Sequence, residues 1–196
     1  MRLFIAVVPP PEAVAGLRST VGVGRELFPE LRWSSAEDWH LTLVFLGEVS
    51  EELVPELDEG FGRVVAEHRP LSLRVEGWGT FPQGGRRSSV LWAGLAGDVE
   101  ALTALAGDLR ETARGMGFPV GDVPYVPHLT VARSRPARDL RRTVRDLAVP
   151  RGPSRRIGEV HLVESVPGRG PRYRIARTWA LPWETPTDRT AERGTS

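Results

Sequence analysis

The sequence predicts an α+β fold of two pseudo-symmetric lobes, with mainly antiparallel sheets flanked by helices and a central cleft between the lobes. Three observations predict it. A His-x-Thr pattern occurs twice, as His40-Leu41-Thr42-Leu43 and His128-Leu129-Thr130-Val131, 88 positions apart (128 minus 40). Strand-like and helix-like segments are interspersed, and several strands are joined by links of hairpin length, which parallel pairing cannot use. No Pro-, Gly- or Ser-rich linker is long enough to part independent domains. The duplicated pattern therefore belongs to two lobes of one domain, residues 1–183.

Each element has its reason. Residues 2–8, RLFIAVV, have the length and β-branched content of a buried strand, ended by the prolines at 9–11, which can open a helix. Val14, Leu17, Val21 and Leu27 give a helical stripe over 12–28, and a short strand covers Leu31 to Trp33. A Ser-Ser-Ala-Glu-Asp turn then delivers the chain into the first His-x-Thr strand, which Gly47 closes. Ser50 reads as a capping hydroxyl for a helix carrying Leu53, Leu57, Phe61, Val64 and Val65, with Pro55 confined to its first turn. Residues 71–78 and 90–95 form a hairpin whose long Gly-rich tip bears Arg86 and Arg87. Asp98 caps the clearest amphipathic helix, with Val99, Leu102, Leu105, Leu109, Ala113 and Met116 on one side. The second His-x-Thr strand follows, then a basic helix over 137–148 and strands over 157–165 and 172–181. Residues 184–196 have almost nothing to bury and read as a disordered tail.

Composition narrows the function classes. With 40% hydrophobic residues in 196, the chain can bury a sizeable core. Its apolar runs are strand-length, far below the roughly 20 residues of a membrane span, and no secretory signal opens it, so a cytoplasmic protein is expected. The absence of cysteine excludes disulfides, thiolate nucleophiles and cysteine metal sites. All 26 basic residues are Arg. Residues 1–80 carry 7 Arg against 13 acids, whereas residues 133–196 carry 15 against 7. That basic end suits a polyanionic partner such as RNA, and it also suits a solvated Arg-rich helix face.

In an extended strand, a His and a Thr two positions apart share one face while the intervening apolar side chains share the other. A single His-x-Thr strand is commonly just half-buried structure; two copies facing one cleft supply a pair of proton-transfer groups. One imidazole accepts a proton while the other donates one, as metal-free hydrolysis of a phosphodiester requires. The Thr42 and Thr130 hydroxyls can hold the non-bridging oxygens. Arg133 lies five positions after His128, an odd offset, so it faces away unless the strand ends or is bulged at Ala132. A metal site is poorly supported, with Asp38 and Asp122 as the close acids considered for it, and no G-x-S-x-G turn marks a serine hydrolase. His68 at a helix end and His161 among apolar strand residues read as structural. Phe45, Trp78, Phe81, Trp92, Tyr125 and Tyr173 read mostly as core, with Tyr125 and Phe45 as candidate stacking surfaces for a base.

These residues resemble a known family. The paired HLTL and HLTV are similar to the two signatures of the 2H phosphoesterase superfamily. RLFIAVVPP, WHLTLVFLGEV, the FP…VLW hairpin, PHLTVAR and VHLVESVPGRGPRYRI resemble its RNA 2′,3′-cyclic phosphodiesterases, historically called 2′-5′ RNA ligases. The resemblance implies a two-lobed fold with the active site in a positively charged central cleft. It implies metal-independent hydrolysis of an RNA-terminal 2′,3′-cyclic phosphate to a 2′-phosphate; no cofactor is expected, and a monomer is. It makes His40 the proton donor to the leaving 3′ oxygen, His128 the acceptor that activates water, and Thr42, Thr130 and Arg133 the phosphate-holding groups. Where the family often has Pro-Arg before the VLW strand, this chain has Arg86-Arg87-Ser88-Ser89, which leaves the substrate contact of those arginines open. Ligation of 2′-5′ linked halves, hydrolysis of small cyclic nucleotides or ADP-ribose cyclic phosphate, and non-catalytic binding of RNA ends remain alternatives.

Overall fold

Two antiparallel sheets face one another in the computed structural model, which describes residues 1–168 and 172–183. The strands are β1 (Arg2–Val7), β2 (Arg32–Trp33), β3 (Leu41–Glu48), β4 (Leu71–Phe81), β5 (Ser88–Gly97), β6 (His128–Arg138), β7 (Arg155–Ile157), β8 (Glu159–Ser165) and β9 (Tyr173–Ala180). The helices are α1 (Ala15–Leu27), α2 (Val54–Ala66), α3 (Val99–Gly115) and α4 (Arg141–Asp146). One sheet runs β3-β1-β8-β9, the other β2-β6-β5-β4-β7. Strands β1 and β3 flank the crossover helix α1 as β5 and β6 flank α3, so each His-x-Thr strand lies beside the strand that precedes its helix.

The helices tie the lobes together. Helix α3 belongs to the second sheet by sequence yet packs against α2 and β3 of the first lobe, while Gly24 of α1 lies directly against the Trp33 ring at the edge of the second sheet. Leu3, Ile5, Leu41, Phe61, Leu105 and Leu129 thus share one continuous buried cluster. The lobes share most of their core, beside a small separate cluster of Phe4, Ala6 and Val163 on the first sheet. At roughly 1.5–3 kcal/mol for each fully buried large apolar side chain, this common interior is the main force holding the cleft walls in register.

Local details differ from expectation in several places; the strand expected over 157–165, for one, is split between β7 of the second sheet and β8 of the first. The basic helix is confined to Arg141–Asp146 because β6 continues past Pro136, with Arg138 opposite Ser88 of β5. Asp98 sits at the N-cap of α3, but its carboxylate accepts from the Ser72 backbone N–H at 2.8 Å, joining the helix start to β4 instead of capping it. Ser50 likewise makes no side-chain cap; a short 3-10 turn, Glu51–Leu53, precedes α2, and Pro55 occupies the first turn. The expected tail, 184–196, lies outside the described residues.

Candidate active site

Both His-x-Thr strands carry a bulge at the same place. Along β3 the register steps from Thr42 opposite Ala6 to Val44 opposite Ile5, leaving Leu43 unmatched. Along β6 it steps from Thr130 opposite Trp92 to Ala132 opposite Leu91, leaving Val131 unmatched. An extra residue resets the alternation of faces. Leu43 and Val44 are therefore both buried, as are Val131 and Ala132, and the next residue in each strand, Phe45 or Arg133, returns to the face of the His and Thr. The odd offset between His128 and Arg133 is thereby cancelled.

The carbonyls at the second bulge are met from the other side of β6, by the residue that follows β2. Ser34, just past β2, gives its backbone N–H to Val131 O at 2.9 Å, and its Oγ lies 3.0 Å from both Thr130 O and Val131 O. Trp39, the neighbour of His40, donates its indole N–H back to Ser34 Oγ at 3.3 Å. One small network thus links the approach to the first motif with the bulge of the second.

The two histidines are held alike. Nδ1–H of His40 donates to the Asp38 carbonyl at 2.8 Å, and Nδ1–H of His128 donates to the Val126 carbonyl at 2.7 Å. A carbonyl only accepts, so each ring keeps its proton on Nδ1 and leaves Nε2 for exchange with a ligand. Partial burial lowers the proton affinity of both rings below the ordinary histidine value, against the opposing effect of those carbonyl bonds. Beyond burial, His40 feels the Asp38 carboxylate, which favours its charged form, whereas Arg133 disfavours charge on both His40 and His128.

His40, Thr42, His128, Thr130 and Arg133 all line one cavity of about 770 Å³. Sequence reasoning singled out these five and missed Arg2, Arg32, Arg135 and Arg172, which bring the guanidinium groups on its wall to five; Asp38 is the one carboxylate among the described residues that line it. Arg2 and Arg32 come from the acidic half of the chain. The basic end instead spends much of its charge elsewhere: Arg141 pairs with Asp139, Arg142 and Arg145 with Asp146, Arg174 with Glu164, and Arg177 with Asp58. Arg86 and Arg87 do not line the cavity, and Arg86 is near enough to Asp139 to help hold that carboxyl down at about 2, chiefly the work of Arg141.

Aromatic rings frame the imidazoles. Phe4 lies 4.8 Å from the His40 ring, and Tyr173 meets it edge-on at 4.8 Å; Phe81 meets His128 edge-on at 4.9 Å, with Trp92 at 5.9 Å. Phe45 is 65% exposed, in the cleft, so it is no core residue. Tyr125 is the opposite case: its hydroxyl is buried, burial drives its ionisation far up, and it does not reach the cavity. The remaining histidines stay apart. His68 meets Asp108 at 2.9 Å, tying the end of α2 to α3, and His161 is buried with Nδ1 3.0 Å from Thr178 Oγ1. Among the described residues no three His, Asp or Glu side chains gather as a metal site would require, and no helix is long and apolar enough to cross a membrane.

Comparison with known proteins places this geometry among relatives. The sequence profile of the 2′-5′ RNA ligase superfamily matches residues 9–169. The RNA 2′,3′-cyclic phosphodiesterase of Geobacillus stearothermophilus is 35% identical over 132 residues, 66% of this chain and 41% of that protein. The protein of the same name from Archaeoglobus fulgidus is 34% identical over 139 residues, 68% of this chain and 72% of its own length. The match to the Aeropyrum pernix protein spans 57% of it, so the chain aligns with about half the length of some curated relatives. Among solved structures, TT0787 of Thermus thermophilus superposes with a TM-score of 0.74 at 29% identity, covering 92% of this chain and 98% of that one. Escherichia coli LigT complexed with 3′-AMP superposes with a TM-score of 0.71 at 30% identity, covering 92% and 97%. With the profile spanning both His-x-Thr strands and the whole fold matched, the chain belongs to the LigT-like, RNA 2′,3′-cyclic phosphodiesterase family of 2H phosphoesterases, within the 2′-5′ RNA ligase superfamily.

Proposed function

We propose that this chain hydrolyses the 2′,3′-cyclic phosphodiester at an RNA end to a 2′-phosphomonoester, with two histidines as acid and base and without a metal or other cofactor. The observation that carries the reading is the pairing of His40 and His128 in one cavity, each with Nδ1 engaged by a carbonyl two residues back. His128 Nε2 removes a proton from water as its oxygen attacks phosphorus. The bond from phosphorus to O3′ breaks, and His40 Nε2–H delivers a proton to that oxygen. The cycle leaves His128 charged and His40 neutral, and exchange with solvent restores both. Thr42, Thr130 and Arg133 hold the non-bridging oxygens, where negative charge concentrates in the transition state.

Burial leaves both imidazoles short of protons in the free protein, and the phosphate anion reverses this for the donor by favouring a cation beside it. Arg2, Arg32, Arg135 and Arg172 add a positive surface for the adjoining RNA backbone. Phe45, exposed in the cleft, offers a ring on which the terminal base stacks. That E. coli LigT forms a complex with 3′-AMP supports a nucleotide end as ligand. A monomer fits the reading, since both walls of the cleft come from a single chain, and a cytoplasmic site of action is part of the same proposal.

The direct test is an oligoribonucleotide ending in a 2′,3′-cyclic phosphate, with the position of the product phosphate determined. A 2′-phosphate supports the proposal; an unchanged substrate rejects it. Ligation is the same displacement of O3′ at the same two histidines, with a 5′-hydroxyl in place of water, and shows as a joined 2′-5′ product when an RNA with a free 5′-hydroxyl is added. RNA bound tightly but never turned over marks a binding module.

A further inference from the structure

The two halves of the cleft repeat one backbone pattern, strand, anchor carbonyl and bulge, so their differences stand out residue by residue. Two positions before each histidine lies the residue whose carbonyl holds Nδ1–H; it is Asp38 in one half and Val126 in the other. Five positions after each histidine the bulge turns a side chain into the cleft; it is Phe45 in one half and Arg133 in the other. His40 therefore has a carboxylate next to its carbonyl anchor and an aromatic ring beyond, while His128 has a valine and a guanidinium.

A carboxylate is out of place in a cavity that binds phosphate, yet Asp38 lines this one amid five arginines. Its side chain is 18% exposed and is restrained by Arg172, whose Nη1 lies 3.9 Å from Oδ2. We infer that the Asp38 carboxylate is a positioning group that keeps the cleft's proton on His40 rather than on His128, and so decides which histidine acts as acid. The inference rests on the proposed two-histidine reaction and supplies, from this chain's own residues, the asymmetry of roles within it. The charged and titratable groups around His40 are Asp38 before β3, Arg172 and Tyr173 at the start of β9, and His128 and Arg133 on β6. Of these Asp38 alone brings a negative charge at neutral pH. Its effect on His40 favours the imidazolium, while His128 opposes charge on His40 and Arg133 opposes charge on both rings. The position matching Asp38 beside His128 carries no charge, being Val126.

Two measurements test this. In the pH dependence of kcat, the basic limb reports loss of the acid's proton. Asp38→Asn moves that limb down by about one pH unit, the lower end of what a nearby opposite charge contributes, so the rate on the alkaline side falls about tenfold, while the acid limb keeps its position. A folded Asp38→Asn protein whose basic limb does not move overturns the inference. The second measurement needs no Asp38 variant. Proton NMR titration of the wild-type imidazoles, assigned with His40→Gln and His128→Gln, finds His40 titrating at higher pH than His128; the reverse order overturns the inference. Because the titration needs no turnover, failure to cleave a cyclic phosphate rejects the proposed reaction and leaves the Asp38 test standing.

Discussion

His40 and His128 differ from His68 and His161 in what holds Nδ1 and what Nε2 faces. The first pair have backbone carbonyls behind them and the open cleft before them; His68 is turned to Asp108, and His161 is buried against Thr178. Substituting His40→Ala or His128→Ala is expected to lower kcat by about 10²–10⁴-fold, the range for a lost general acid or base, with the thermal midpoint little changed. Steady-state rates and a melting curve on the same preparations check both halves of that statement. Thr42→Val and Thr130→Val are expected to cost about 10–100-fold in kcat, somewhat under the loss of one oxyanion donor in a hydrolase. Because burial lowers both imidazoles, kcat/KM is expected to follow a bell with its maximum on the acid side of the ordinary histidine value of about 6.5. The kcat profile extends further to alkaline pH, since bound phosphate anion raises the donor. Coincident kcat and kcat/KM profiles would contradict that account.

Among the elements, the paired bulges are the feature that strand periodicity could not supply. Counting along the chain places His128 and Thr130 together and sends Arg133 to the opposite face; the unmatched Val131 brings it back. Whether a strand bulges depends on its partner's register and on what meets the carbonyls at the bulge, here Ser34 from a segment nearly a hundred residues away. Ser34→Ala removes the Oγ bridge and leaves the Trp39 indole N–H without its acceptor. We expect a loss of about 1–3 kcal/mol in unfolding free energy together with a raised KM, as Arg133 drifts from the phosphate; denaturant unfolding and steady-state kinetics report the two effects. Helix α3 is easier to read from sequence, because its apolar spacing is unbroken and the facing surface is large. Leu105→Ala is expected to destabilise by about 2–5 kcal/mol, as for other fully buried leucines, without changing the pH profile of the remaining folded protein.

For the whole molecule, acid is the destabilising direction. His40, His128 and His161 take up protons less readily when folded than when unfolded. Below about pH 6.5 the unfolded chain therefore binds more protons, and stability falls as pH falls. The lowered carboxyls of Glu37, Asp139 and Asp146 act in the same sense at still lower pH, weakly because they are exposed. Urea midpoints at pH 7.5 and 5.5 should show the lower value at 5.5. Binding to RNA should weaken with added salt, as five cleft arginines displace counterions, and EDTA should leave turnover unchanged.

Alternation and spacing along the chain were enough for the α+β class, the duplication, both histidines with their threonines, and the helix that joins the lobes' cores, because burial enforces both patterns locally. They were not enough to bring Arg133 and Phe45 into the cleft, to add Arg2, Arg32 and Arg172 while leaving Arg86 and Arg87 out, or to bury the Tyr125 hydroxyl. Those outcomes depend on register between strands and on meetings between distant segments, which no local pattern encodes. Asp38 lies between the two: its identity is plain in the turn before the first motif, but its meaning comes from the cleft, where the matching place beside His128 holds Val126.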